Sequence, residues 1–350
     1  MKEITIGKRP IGPNHPPFII AEMSGNHNQS LDRAMELVEA AAESGVHALK
    51  LQTASPDGLT LNVDHPDFLI DDPASPWAGR NLYQLYKEAV TPWDWHEPIF
   101  KRCAELGLTV FSSPFEQSAV DLLEDLDAPC YKIASFELVD LPLVRKAAAT
   151  GKPLIMSTGM ATVSDIEDAV NAAKEVGNDQ IILLKCTSSY PATAGDANIA
   201  TIPHLREMFG LQVGLSDHTL GIGVPCAAAA LGATVIEKHF TLRRSDGGVD
   251  ASFSLEPHEF SALVEESERA WASVGSVVYG GAEIEKKSLK FRRSLYIAKD
   301  VKAGDTLTEE NLRIVRPGYG LAPKNIDVLL GRKVNRELAA GTAMKWEFIG

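Results

Sequence analysis

The chain is poor in cysteine, has no clustered positive charge and carries no long apolar run. Its only cysteines, Cys103, Cys130, Cys186 and Cys226, are widely spaced with no CxxC pair, so neither a zinc cluster nor a disulfide framework is expected. Cys130 and Cys186 fall in apolar runs and read as small core residues. Lys and Arg number 34 against 47 Asp and Glu, a formal net charge of −13, and no basic stretch gathers them. A nucleic-acid footprint needs such a cluster, so nucleic-acid binding is disfavoured. No run approaches the roughly 18 apolar residues that a membrane span requires. The N-terminal MKEITIGKRPIGPNHPPF lacks the apolar core of a secretory signal. A cytoplasmic protein with no membrane partner is the expectation. An anionic small substrate stays compatible with the negative charge if a few lysines line its pocket, because the local field matters more there than the net charge.

What the chain does have is eight short apolar runs, each ending on residues able to do chemistry. They are FIIAE (Glu22), ALKLQ (Lys50, Gln52), TVFSS (Ser113), CYKIAS (Lys132, Ser135), LIMST (Ser157), ILLKCTSSY (Thr187, Tyr190), VGLSDH (Ser216, His218) and VIEKH (Glu237, His239). A helix-like stretch follows nearly every run, at about 30–44, 92–106, 116–127, 141–150, 162–176, 200–209, 221–231 and 257–273. Gly45, Gly107, Gly151, Gly177, Gly210 and Gly232 close these stretches, as a left-handed helix cap requires. Ser30 or Asp32 is the candidate cap of the first helix. Eight strand–helix units predict an α/β fold, a closed (β/α)8 TIM barrel with its site at the C-terminal strand ends. Residues 1–273 are expected to form this catalytic domain, starting with a polar segment or small hairpin over 1–17. Residues 274–290 read as a linker and 291–350 as a small second domain with a helix candidate at 308–312. The excursion 53–91 after the second run is unusually long; it would lie on the site's side, either facing substrate or decorating the surface.

Lys50 and Lys132 are held inside the barrel mouth by their own apolar strands. A buried ammonium is costly without an anion, so the pair implies a phosphate or carboxylate guest. Ser113, Ser135, Ser157 and Ser216 add hydroxyl donors on the same rim, as an oxyanion cradle would; the alternative for Lys50 is an ion pair with Glu22 or Glu237. His218 and His239 end neighbouring strands and either share a divalent metal in an open site or simply hydrogen-bond in a polar pocket. Glu22 and Glu137 are the candidate acids or bases. Asn26, His27 and Asn28 hold polar hydroxyls or cap the first helix, with Asn28 the cap. Gly159 and Gly214 are read as serving tight turns or packing. Asp250, in the GGVD loop, would face a polyol. Arg316, in RPGYG, is a surface turn residue or an arm reaching into a barrel mouth.

Beyond these readings, the motifs IAEMSGNHN, KLQT, FSSPF, YKIAS, MSTGM, KCTSSYP, GLSDHTLG, EKHFT, SLEP and RPGYG, in this order, resemble those of the sialic acid synthase family. That family condenses phosphoenolpyruvate with amino sugars to nine-carbon keto acids. The likeness runs almost the whole chain, including a tail similar to the family's antifreeze-like (SAF) domain. KLQTASPDGLTL, GRNLYQLYKEAVTPWDWHEP, ASFELVDLPL and RRSDGGVDASFSLEP are most similar to the branch that makes pseudaminic acid, with Val249 standing where that branch typically has Pro. The resemblance implies a divalent metal, usually manganese with magnesium or cobalt as substitutes, on His218 and His239. It implies phosphoenolpyruvate on Lys50, Ser113, Lys132, Ser135, Ser157 and Ser216, and an acetamido sugar on Gln52, Tyr190 and Asp250, with Glu22 near the reacting groups. It also implies a domain-swapped homodimer in which Arg316 acts in trans. The alternatives are the same reaction giving neuraminic or legionaminic acid, a non-catalytic carbohydrate-binding protein, and a Schiff-base aldolase.

Overall fold

The computed structural model describes residues 1–350 apart from 74 and 76. By its contacts the chain divides into two units, Met1–Val274 and Gly275–Gly350.

The first unit is a closed barrel of eight parallel strands. They are β1 (Phe18–Glu22), β2 (Ala48–Thr53), β3 (Thr109–Pro114), β4 (Tyr131–Ile133), β5 (Leu154–Ser157), β6 (Ile181–Cys186), β7 (Gln212–Asp217) and β8 (Val235–His239). β8 pairs with both β7 and β1, which closes the sheet. Side chains alternate across each strand. Phe18, Ile20, Ala48, Phe111, Cys130, Ile155, Ile182, Leu184 and Val235 fill the barrel interior. Their neighbours Ile19, Leu49, Val110, Tyr131, Met156, Leu183, Leu215 and Ile236 pack outward under the helices. An antiparallel ribbon, Ile4–Ile6 with Arg9–Ile11, adds Ile4, Ile6 and Ile11 to the interior cluster and plugs the end where the strands start. Apolar side chains therefore occupy the lower barrel and leave polar ones to the C-terminal ends. Gly214 lets β7 approach β8 closely: a Cβ there would lie 2.2 Å from the Val235 carbonyl oxygen.

The barrel helices are α1 (Leu31–Glu43), α2 (His96–Leu106), α3 (Gln117–Asp125), α4 (Leu141–Ala148), α5 (Val163–Glu175), α6 (Thr201–Phe209), α7 (Gly223–Ala230) and α8 (Pro257–Val274). Ser30 caps α1 by accepting the Arg33 N–H, and Thr162 with Asp165 forms a capping box on α5. Asn28 is not the cap: it lies in the left-handed region (φ 49°) and donates its amide to the Gly247 carbonyl at 3.3 Å. The excursion after β2 contains the helix Leu82–Ala89. It is fastened at the C-terminal face: Gln29 Nε2 donates to the carbonyls of Glu88 and Val90 at 2.9 Å each, and Trp77 Nε1 to that of Val249 at 3.2 Å.

In the second unit β9 (Ser294–Ile297) pairs antiparallel with β10 (Leu312–Val315) over a core that includes Leu295, Val301, Leu307, Leu329, Val334 and Met344. Residues 308–312 are not helical. Asn311 accepts the Thr308 N–H at 2.8 Å and donates to the Thr306 carbonyl at 3.0 Å, so its side chain closes a turn. Leu312 is then committed to the sheet opposite Ile297. Among the described residues no helix is long and apolar enough to cross a membrane.

Candidate functional site

The C-terminal strand ends converge on one cavity of about 60 Å³. Glu22, Lys50, Gln52, Ser113, Lys132, Ser135, Ser157, Tyr190, Ser216, His218 and His239 all line it, together with Cys186, Glu237, Phe115 and Ala134. Pleating explains the convergence. Lys50 and Gln52, Ser216 and His218, and Glu237 and His239 are each two residues apart, so each pair faces inward. Register does the rest, setting Glu22 beside both Lys50 and His239.

Lys50 and Lys132 are 3% and 2% exposed. Lys50 is ion-paired with Glu22, lies 3.9 Å from Glu237 and donates to Ser113 Oγ at 3.2 Å. Lys132 lies 3.3 Å from Glu237 Oε1, which also accepts the Ser216 hydroxyl at 2.9 Å. Two ammonium groups are thus balanced by two carboxylates, so the ion-pair alternative for Lys50 and the anion-cradle reading describe the same residues. Ser157 Oγ is buried with no hydrogen-bond partner.

Burial pushes Glu22 up to about 7, with the Glu237 charge adding to it against Lys50. Burial would also raise Glu237, but Lys132 and Lys50 outweigh it and hold that carboxylate below its ordinary value. Burial, then His218 and the lysines, keep His239 well below the usual imidazole range, so its ring is neutral.

The two imidazoles have ring centroids 5.3 Å apart. His218 Nδ1–H donates to the Thr187 carbonyl at 2.9 Å, which leaves Nε2 with its lone pair free to ligate. His239 Nδ1 is buried without a hydrogen-bond partner and lies 3.7 Å from Asp250 Oδ2. Tyr190 sits 4.4 Å from the His218 ring and Phe253 5.0 Å from that of His239, forming an aromatic wall. Among the described residues no three His, Cys, Asp or Glu form a metal cluster. The donor set therefore fits a divalent ion that takes two nitrogens from the protein and its other ligands from water or substrate.

Three expected residues lie outside the cavity lining. Asp250 is adjacent, accepting the Ser24 hydroxyl beside His239, and burial raises its carboxyl. Glu137 follows β4; burial pushes it up to about 7, and its Oε2 is buried without a hydrogen-bond partner. Arg316 belongs to the second unit, exposed in the turn after β10. Asn26 and His27 are bonded within the protein: Asn26 Nδ2 donates to the Phe240 carbonyl and Ser254 Oγ, and His27 Nε2 lies 3.2 Å from Thr91 Oγ1. Gly159 serves packing, since a Cβ there would lie 2.2 Å from Ser188 Oγ.

Glu237, which the sequence offers as a run-end residue and as an ion-pair partner for Lys50 but with no assigned role, is central, lying within 3.9 Å of both lysines. Its two-residue spacing from His239 was the available signal. Cys186, expected as plain core, is buried but lines the cavity, with Sγ 3.9 Å from His218 Nδ1. Its strand parity with Leu184 carries that information.

The NeuB family model matches residues 37–279 and the SAF domain model residues 292–349. The pseudaminic acid synthase of Helicobacter pylori is 44% identical over 94% of this chain and 96% of its own length. An N,N'-diacetyllegionaminic acid synthase from Legionella pneumophila is 36% identical over 98% of this chain and 97% of its own. Among solved structures, the N-acetylneuraminic acid synthetase of Leptospira borgpetersenii, in complex with citrate, superposes with a TM-score of 0.73 at 32% identity, covering 83% of this chain and 96% of that one.

Proposed function

The chain belongs to the NeuB family of phosphoenolpyruvate-dependent nonulosonic acid synthases, and from that premise we propose that it makes pseudaminic acid. The reaction condenses phosphoenolpyruvate with 2,4-diacetamido-2,4,6-trideoxy-L-altrose and releases phosphate by C–O cleavage. The observation that carries the reaction class is the meeting of two buried ammonium groups, two imidazoles and several serine hydroxyls in one cavity. The choice of sugar is supported by 44% identity to a pseudaminic acid synthase against 36% to a legionaminic acid synthase.

In this reading Lys50 and Lys132 hold the phosphate and carboxylate of phosphoenolpyruvate, and Ser113, Ser135, Ser157 and Ser216 donate to the same oxygens. Gln52, Tyr190 and Asp250 orient the sugar so that C3 of phosphoenolpyruvate faces its aldehyde carbon. A divalent ion on His218 and His239, manganese first and magnesium or cobalt as substitutes, supplies Lewis acidity at the aldehyde oxygen when bound. As the carbon–carbon bond forms, positive charge develops at C2. The entering anion competes with Glu22 for Lys50, and loss of that ammonium raises the Glu22 carboxyl further and makes its carboxylate a stronger base. Glu22 then takes one proton of the water that adds at C2 and passes it on to the former aldehyde oxygen, which the new bond leaves as an alkoxide, with Glu137 the second choice. The tetrahedral intermediate expels phosphate with its bridging oxygen. Holding both substrates aligned contributes up to about 7–11 kcal/mol toward the barrier. The reading extends to a homodimer in which one subunit's tail covers its partner's barrel and Arg316 acts across.

The test is a panel of acetamido sugars with phosphoenolpyruvate and manganese in oxygen-labelled water, measuring phosphate release and product mass. The diacetamido-trideoxy-altrose is expected to give the highest kcat/KM, with label in the sugar acid and none in phosphate. Preference for another acetamido sugar moves the chain to that branch. Sugar binding without phosphate release would make it a carbohydrate-binding protein, and labelled phosphate would contradict C–O cleavage.

A further inference from the structure

One buried ammonium behind the barrel wall ties the segment that carries one imidazole to the strand that carries the other. Lys238 stands between Glu237 and His239; the alternation that turns those two inward turns Lys238 outward, where its side chain is 0% exposed. Its Nζ lies 2.5 Å from Asp217 Oδ2 and also donates to the Thr219 carbonyl. Asp217 is tied to Thr219 in turn, accepting its N–H at 3.1 Å on Oδ1 and its hydroxyl at 3.0 Å on Oδ2. The residue between Asp217 and Thr219 is His218. His218 therefore projects from a three-residue loop whose two ends are gripped by one ammonium, and that ammonium belongs to the residue preceding His239.

A buried ion pair seldom adds net stability over apolar side chains of equal volume, so this one is better explained by the geometry it imposes. We propose that Lys238 is a positioning residue: through Asp217 and Thr219 it sets the separation of His218 and His239, and with it the affinity and coordination geometry of the divalent-ion site. The inference rests on reading those two histidines as the ligands. The β7–β8 ladder and the Ser216–Glu237 hydrogen bond tie the two strands together up to the Asp217–Lys238 pair, one residue short of both imidazoles, and Lys238 carries the tie past that point. The Thr187 carbonyl orients the His218 ring but has no link to β8, and His239 Nδ1 has no hydrogen-bond partner of its own.

Lys238→Met alone strands the Asp217 carboxylate, so the informative variant is the charge-neutral double Lys238→Met/Asp217→Asn. Lys238→Arg, which keeps the charge, is the second variant. Each is checked for a cooperative melt. Manganese affinity is then read by the EPR signal of the free ion, coordination by the visible spectrum of the cobalt-loaded chain, and cavity integrity by binding of inorganic phosphate. The expected result is manganese binding about 10–100-fold weaker in the double variant, with altered cobalt bands, phosphate affinity unchanged, and Lys238→Arg intermediate. Wild-type manganese affinity and cobalt bands in a folded variant overturn the proposal, as does an equal loss of phosphate affinity, which would mean general loosening. His218→Ala and His239→Ala in the wild-type background are the control. Manganese binding indifferent to both overturns the ligand reading, and the clamp with it.

Discussion

Glu22 and Lys50 face each other in register, and their pairing sets the protons available to the cavity. With burial holding Glu22 at about 7, a large fraction is protonated at neutral pH. A general base must be deprotonated to work, so kcat/KM is expected to fall as pH drops below about 7, the value to which burial pushes Glu22. Glu22→Gln should lose about 10²–10⁴-fold in turnover, and its profile should lack that acid limb. A limb that survives in Glu22→Gln and disappears in Glu137→Gln would transfer the role, since Glu137 is also pushed up to about 7. Lys132 allows a separate test. Removing its ammonium with Lys132→Met is expected to weaken phosphoenolpyruvate binding by about 1.5–3 kcal/mol, the range for a hydrogen bond to a charged group. Titration of the apo chain with phosphoenolpyruvate reads that directly, and unchanged affinity would take Lys132 out of the anion cradle.

At the scale of elements, the barrel was legible because its strands are short, apolar and punctuated. Each run ends on a polar residue and most helices stop at glycine, so period and boundary agree. Period two also contained the site: the strand parity that puts Lys50 in the cavity puts Glu237 there. It was harder to use for Glu237, whose neighbour Lys238 is also charged but faces the other way, into a buried pair with Asp217. Local side-chain chemistry was less legible. Asn28 and Asn311 both replace regular backbone bonding with their own amides, and the amide's partner cannot be read from spacing. Gly214 is where element packing can be tested. Gly214→Ala would press a methyl group against the Val235 carbonyl and Leu184. Overpacking of that kind costs about 1–3 kcal/mol. Because Ser216 and Glu237 lie just above, phosphoenolpyruvate affinity is expected to fall with the melting temperature. A variant as stable as the wild type would show that β7 and β8 have slack.

At the scale of the whole molecule, a chain of net charge −13 attracts an anion only through a local field, and Lys50 and Lys132 supply one when Glu22, pushed up to about 7, takes a proton and no longer offsets Lys50. Val277, Val278, Tyr279 and Ile284 are 87%, 62%, 93% and 82% exposed, an apolar cluster in sequence that a lone subunit would leave in water. If a second copy covers it and Arg316 serves the partner's barrel, Arg316→Ala and Lys132→Ala disable different sites. In a mixed dimer the subunit with intact Lys132 receives an intact Arg316, while the other site lacks both. Co-refolding equal amounts of the two inactive variants should then recover about a quarter of wild-type turnover, because half the dimers are mixed and each holds one complete site. Tagging the variants differently and isolating the mixed species raises that to about half. Verified mixed dimers without activity would confine the site to one chain, and a monomer in solution at working concentration would remove the swap altogether.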